Sequence, residues 1–102
     1  MKYRILQIKN LAEADYRFMR YDFATRNGFD LADYACVYEA EAWTAHDDEE
    51  LQKFLEFVFV KFNADYPLGF KGHSLSVSDI IEVERDGEVR RFYVEPVGFI
   101  EL

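Results

Sequence analysis

His73-Ser74, with Ser76, Ser78 and Asp79 close behind, is the one stretch whose residue types suggest chemistry. A serine, a histidine and an acid can support nucleophilic attack if the base reaches the hydroxyl and the acid orients the base. No nucleophile elbow surrounds this set, and side chains of adjacent residues seldom face one another. The preferred reading is structural. In an S-x-S-x-S-D run ahead of an apolar segment, hydroxyls and carboxylate bond nearby backbone amides and close a tight turn. Phe70, Lys71, His73, Ser74, Ser76, Ser78 and Asp79 are therefore grouped as a candidate ligand loop, and no catalytic residue is assigned.

Three other clusters are weighed in the same way. His46 followed by Asp47, Asp48, Glu49 and Glu50 has the composition of a divalent-metal site. Contiguous acids in a first helical turn fan outward, however, whereas metal ligands must converge. Helix capping is preferred, and no metal or cofactor is expected. Cys36 is the single cysteine; it is expected to be a buried or half-buried small hydrophobe, and an internal disulfide is excluded. Tyr16, Arg17, Arg20, Tyr21 and Arg26, with Phe18, Phe23 and Phe29 interleaved, form a basic–aromatic stretch. That mixture suits core packing first, then a protein interface, and last a stacked nucleic acid. The five Tyr and Arg residues are kept as a candidate interaction surface.

The elements that must position these residues are legible in outline. KYRILQIK at 2–9 reads as a first strand, and the alanine-rich stretch from Asn10 to Asp15 as a connection. Phe18 and Met19 are compatible with a further strand. Tyr21 to Asn27 is expected to be a short helix stopped by Gly28. Residues 34–43 alternate, with Cys36, Tyr38 and Ala40 on one side, and read as a partly exposed strand. The main helix opens at HDDEE, capped by Asp47 or Asp48, and carries Leu51, Phe54, Leu55, Val58 and Phe62 at helical spacing. Phe57, Phe59 and Val60 widen that stripe, as a helix buried on two sides or covering a sheet would require. Asp86-Gly87 between IIEVER and EVRRFYVE is the strongest hairpin signal, and VGFIEL a short last strand beyond Pro96.

The 102 residues hold one domain with one core. Half are hydrophobic and 18% aromatic, which suffices for burial and leaves aromatics over for the surface. The formal net charge is −8, and residues 31–50 carry seven acids and no Lys or Arg. Such a balance disfavours nucleic acid as a partner. No apolar run is long enough to span a membrane, no leader is read at the N-terminus, and a cytoplasmic chain is expected.

The segment FNADYP at 62–67, followed by FKGHSLSVSDI at 70–80, resembles the YodL-like domain family. The first strand, FMRYDF and YVEPVGF add to the likeness, so it runs through most of the chain. The resemblance implies a single domain over 1–102 and an association with bacterial mobile DNA, but no catalytic residues. The expectation is an α+β fold: a small mixed or antiparallel sheet of about five strands, open or partly closed into a barrel, packed by one main and one shorter helix. Its expected role is a non-enzymatic accessory module with a protein partner or self-association. Acidic mimicry of DNA, aimed at a host defence or DNA-processing protein, is the alternative. Nucleic-acid binding through the Arg/aromatic face is the second.

Overall fold

The chain begins with a central strand, β1 (Lys2–Ile8), which is flanked on both sides in a five-stranded antiparallel sheet. This computed structural model describes residues 1–9 and 14–102, so most of the expected Asn10–Asp15 connection lies outside the described residues. The remaining strands are β2 (Tyr34–Glu41), β3 (Ile80–Arg85), β4 (Glu88–Val94) and β5 (Phe99–Glu101), ordered β2-β1-β3-β4-β5. The sheet stays open, with β2 and β5 as its edges. Two helices, α1 (Tyr21–Arg26) and α2 (Asp48–Ala64), complete the α+β fold, and a short 3₁₀ turn spans Leu31–Asp33.

Strand register explains which residues are buried. Tyr3 lies opposite Val83, Ile5 opposite Ile81, and Ile81 opposite Phe92. Paired residues point to the same face of a sheet. These side chains and Val94 therefore meet the stripe Leu51, Phe54, Leu55, Val58 and Phe62 of α2. The alternate residues Leu6, Ile8, Ile80 and Tyr93 form a second core on the other face, closed by Ala14, Tyr16, Ala24 and Tyr34. A strand apolar on both faces, as ILQI is, fits this two-sided burial.

The rest of that second face is ionic. Glu39, Arg4, Glu82 and Arg91 stand opposite one another across β2, β1, β3 and β4. Arg4 donates to Glu39 at 2.6 Å, Glu82 at 2.7 Å and Glu84 at 2.9 Å. Arg91 holds the other oxygen of Glu82 at 2.7 Å.

Local signals set the element ends. Asp47 caps α2 by accepting from Glu50 N–H, and the Glu50 carboxylate reaches back to His46 N–H at 2.7 Å. Gly28, at φ +83°, ends α1, with Phe29 N–H bonding back to Ala24 C=O. Asp86 and Gly87, with φ of 53° and 79°, make the two-residue hairpin.

Two local expectations are corrected. Phe18 and Met19 do not extend a strand: Phe18 lies in a turn at φ 65°, and both side chains are exposed. Cys36 is exposed, not half-buried. An irregularity in the β1–β2 register skips Val37, so Tyr38 faces Ile5 while Cys36 faces Leu6 on the opposite side. One extra residue reverses a period-two alternation. Of the two arrangements expected for α2 the structure shows the second, a helix covering the sheet, and it leaves Phe57, Phe59 and Val60 at the surface.

Candidate functional site

The 70–79 turn is organised around two buried polar side chains from different elements, Gln7 of β1 and Asp79 just before β3. Both are nearly inaccessible. Asp79 Oδ2 accepts from Ser76 N–H at 2.8 Å and from Gln7 Nε2 at 3.0 Å. The Gln7 amide also donates to His73 C=O at 2.9 Å and accepts from His73 N–H at 3.2 Å. A polar pair so placed satisfies loop backbone that would otherwise be buried without partners.

Each serine in the loop has a structural partner. Ser74 Oγ bonds the Tyr66 hydroxyl, and Ser76 Oγ donates to Ser74 C=O at 2.8 Å. Ser78 Oγ accepts from Phe18 N–H at 2.9 Å, while its carbonyl accepts from Tyr34 OH at 2.5 Å. Ser78 sits at φ +81°, a conformation costly for a serine, held by these bonds and by its N–H to Val94 C=O at 3.0 Å. Phe70 packs on Phe62, with ring centroids 4.9 Å apart, and Lys71 points to solvent.

The histidine and the acid do approach. His73 Nε2 lies 3.8 Å from Asp79 Oδ1 and has no hydrogen-bond partner among the described residues, although it is shielded from solvent. Its Nδ1 sits 2.7 Å from Ser74 C=O, which places the proton on Nδ1 and leaves Nε2 as an acceptor. Burial pushes the Asp79 carboxyl up to about 7, against the lowering effects of the Ser76 amide, the Gln7 amide and the Arg17 charge. Among the described residues no hydroxyl is hydrogen-bonded to this imidazole. The loop brings base and acid together without bringing a nucleophile to them.

The basic–aromatic stretch does not form one accessible surface. Tyr16 is 1% exposed, its hydroxyl donating to Asp33 at 2.7 Å. Tyr21 packs against Tyr93 at 5.1 Å and Phe29 at 5.5 Å. Arg20 and Arg26 are exposed, but both lie beside Asp22, at 3.8 and 3.7 Å. Arg17 stacks over the Phe18 ring at 4.7 Å. Aromatic character there belongs to the second core, and only Phe18 and Met19 are left outside with the arginines.

The acids of 31–50 are spread over three elements and serve local roles. Asp33 receives Tyr16, Glu39 pairs with Arg4, Asp47 caps α2, and Asp48 pairs with Arg90 at 3.0 Å. Among the described residues no group of three His, Cys, Asp or Glu side chains is placed to hold a metal ion.

Surface concavities lie elsewhere. A hollow of about 120 Å³ sits beside the start of α2, between Met1, His46 and Arg85. A groove of about 240 Å³ runs between α2 and the β4–β5 edge, lined by Phe59, Val60, Pro96 and Phe99. Neither reaches the 70–79 turn. Trp43, 51% exposed, stacks edge-on against Phe57 of α2 with centroids 4.9 Å apart.

Sequence reading did not single out Gln7, Arg4 or Trp43. A glutamine inside the apolar ILQI run was the available signal for the first. Among the described residues no helix is long and apolar enough to cross a membrane. No curated protein and no solved structure matches the chain. The model of the YodL-like domain matches residues 2–102, nearly the whole chain, and the protein belongs to that family.

Proposed function

We propose that this domain is a non-enzymatic accessory module that acts by binding another protein, in the mobile-DNA setting its family resemblance implies. The observation that carries this reading is the grouping of large apolar side chains on the outer side of α2. Trp43, Phe57 and Val60 are 51%, 44% and 62% exposed, and Trp43 and Phe57 are in ring contact. Isolated exposed hydrophobics need no explanation, whereas a contiguous set with an aromatic anchor is the usual mark of a partner site. The loop serines further support a non-catalytic reading, because their bonds are spent on backbone and on one another's neighbours.

Affinity capture from the native host tests it, with the tagged wild-type chain run beside a Trp43→Ala/Phe57→Ala variant. A protein retained by the wild type and lost from the variant is the expected result. Self-association that disappears in the same variant, read by sedimentation, would place the second copy in the partner's role. Identical profiles for the two chains would remove the proposal.

A further inference from the structure

We propose that the free edge of β5 and the groove beside it receive an extended segment of a partner protein, bearing one large apolar anchor flanked by Lys or Arg. This rests on the reading of the domain as a protein-binding module.

The backbone points to an extended occupant. Glu95 N–H bonds Gly98 C=O, and Leu102 N–H bonds Arg91 C=O. In an antiparallel pair these fix the alternation, so Gly98, Ile100 and Leu102 turn toward β4. Phe99 and Glu101 consequently present their N–H and C=O groups outward, on the side where no further strand pairs among the described residues. An edge of this kind is a template for an added strand. It offers few bonds by itself, and the adjoining groove supplies what a three-residue edge lacks.

The groove adjoins the start of that edge, with Phe59 and Val60 of α2 on one wall and Val94, Pro96 and Phe99, from the end of β4, the turn and the start of β5, on the other. Its volume of about 240 Å³ falls below the roughly 300–1,000 Å³ of small-molecule sites, and suits one or two apolar side chains. A strand added to β5 alternates its side chains, so every second one would lie on the α2 side, where the one beside Phe99 meets this groove.

Charge selects the flanks. Glu56 stands at the groove's rim and meets no cation among the described residues, whereas the Glu95 carboxylate is held by Tyr21 N–H at 2.7 Å, at the start of α1. Glu101 on the edge itself is held by Arg90 at 2.7 Å. A basic residue beside the anchor would find the Glu56 carboxylate without a cation of its own, and an acidic one would be repelled. The same carboxylate opposes a second copy, since pairing two β5 edges with both α2 helices on one face would bring the two Glu56 side chains toward one seam. The other edge is a poorer site: β2 is kinked by its skipped residue and carries Glu39 and Glu41.

Phage-displayed random peptides selected on the full wild-type chain, with counter-selection on the Val60→Glu chain, test the inference. Val60 is 62% exposed, so the variant folds; circular dichroism and a melting curve verify it. The expected peptides carry an apolar anchor between Lys or Arg residues and bind Val60→Glu at least about tenfold more weakly. Glu56→Lys, an exposed change, should weaken the same peptides, and N-methylating the peptide backbone beside the anchor should abolish binding. The inference is overturned if no Val60-dependent peptide emerges, if selected peptides are acidic, or if N-methylated ones bind equally. A Val60-dependent dimer overturns it as well. A native partner lost with Trp43→Ala/Phe57→Ala but kept by Val60→Glu overturns this inference alone and leaves the protein-binding reading standing.

Discussion

The Gln7 side chain fills the space that a Cβ at Gly72 would need: its Oε1 lies 2.1 Å from that point, and Val37 Cγ2 closes the other side at 3.0 Å. Gln7 cannot swing away freely, because its amide holds His73 at both backbone groups and Asp79 at its carboxylate. Gly72→Ala should therefore destabilise the fold by about 1–3 kcal/mol, the usual cost of leaving buried polar groups unpaired. Combining it with Gln7→Ala should cost less than the sum of the two single changes. Urea unfolding of the three variants measures this, and strict additivity would show that the two residues do not act on each other.

Asp79 gives the fold a pH dependence with a definite sign. Its folded pKa, pushed up to about 7 by burial, lies above the unfolded value of 3.8, so the folded chain binds more protons between these limits. The contribution of this group is fully present below about pH 4 and is lost as pH rises through about 7. Asp79→Asn keeps an acceptor for Ser76 and Gln7 but cannot ionise. The difference in stability between the variant and wild type should shift in favour of the variant, by up to about 1.4 kcal/mol per pH unit, across that window. Chemical unfolding at a series of pH values reads it, and a constant difference would mean that Asp79 titrates normally.

Arg4 is the hub of the ionic half of the second face. Arg4→Met leaves Glu39 and Glu84 without this cation and Glu82 with Arg91 alone. Because Glu82 is largely buried, the loss should be about 1–3 kcal/mol, more than an ordinary exposed pair supplies. Restoring most of it with Glu82→Gln in the same chain would identify the stranded carboxylate as the cause, and no gain would exclude it.

Cys36 should react with a maleimide in the folded protein, without denaturant, because its side chain is exposed on the edge strand β2. Mass spectrometry after brief native labelling checks this. Labelling that requires urea would return the thiol to the interior.

Phe54 anchors the contact between α2 and the sheet, at 0% exposure and with its ring 5.3 Å from Tyr3. Phe54→Ala should cost about 3–5 kcal/mol, whereas Phe57→Ala on the outer side of the same helix should cost little. Thermal melts of the two variants separate the core face of the helix from its outer face.

Much of the fold was legible because its signals are local. The Asp47 cap, the Leu51–Phe62 stripe, the Asp86-Gly87 turn and the stop at Gly28 each depend on a few neighbouring residues. The 70–79 turn was likewise readable as a polar turn from its serines and Asp79. What failed was parity and context. One skipped residue in β2 reversed the side on which Cys36 falls, and Tyr16, kept as a candidate surface residue although core packing was the first reading of its stretch, is buried. Its partner Asp33, and the Phe29 ring beside it, come from a later stretch of chain.

By itself, the sequence determined the α+β class, the order of elements, the helix and hairpin boundaries and the family, since caps, turns and apolar spacing act over a few residues. Only the tertiary structure decided that Gln7 would meet Asp79 and His73, that four charges would align across four strands, and that Phe57 and Val60 would stay outside. Those outcomes depend on strand register and on how many sheets pack against α2. Both are set by contacts between residues far apart in the chain, where no local pattern records them.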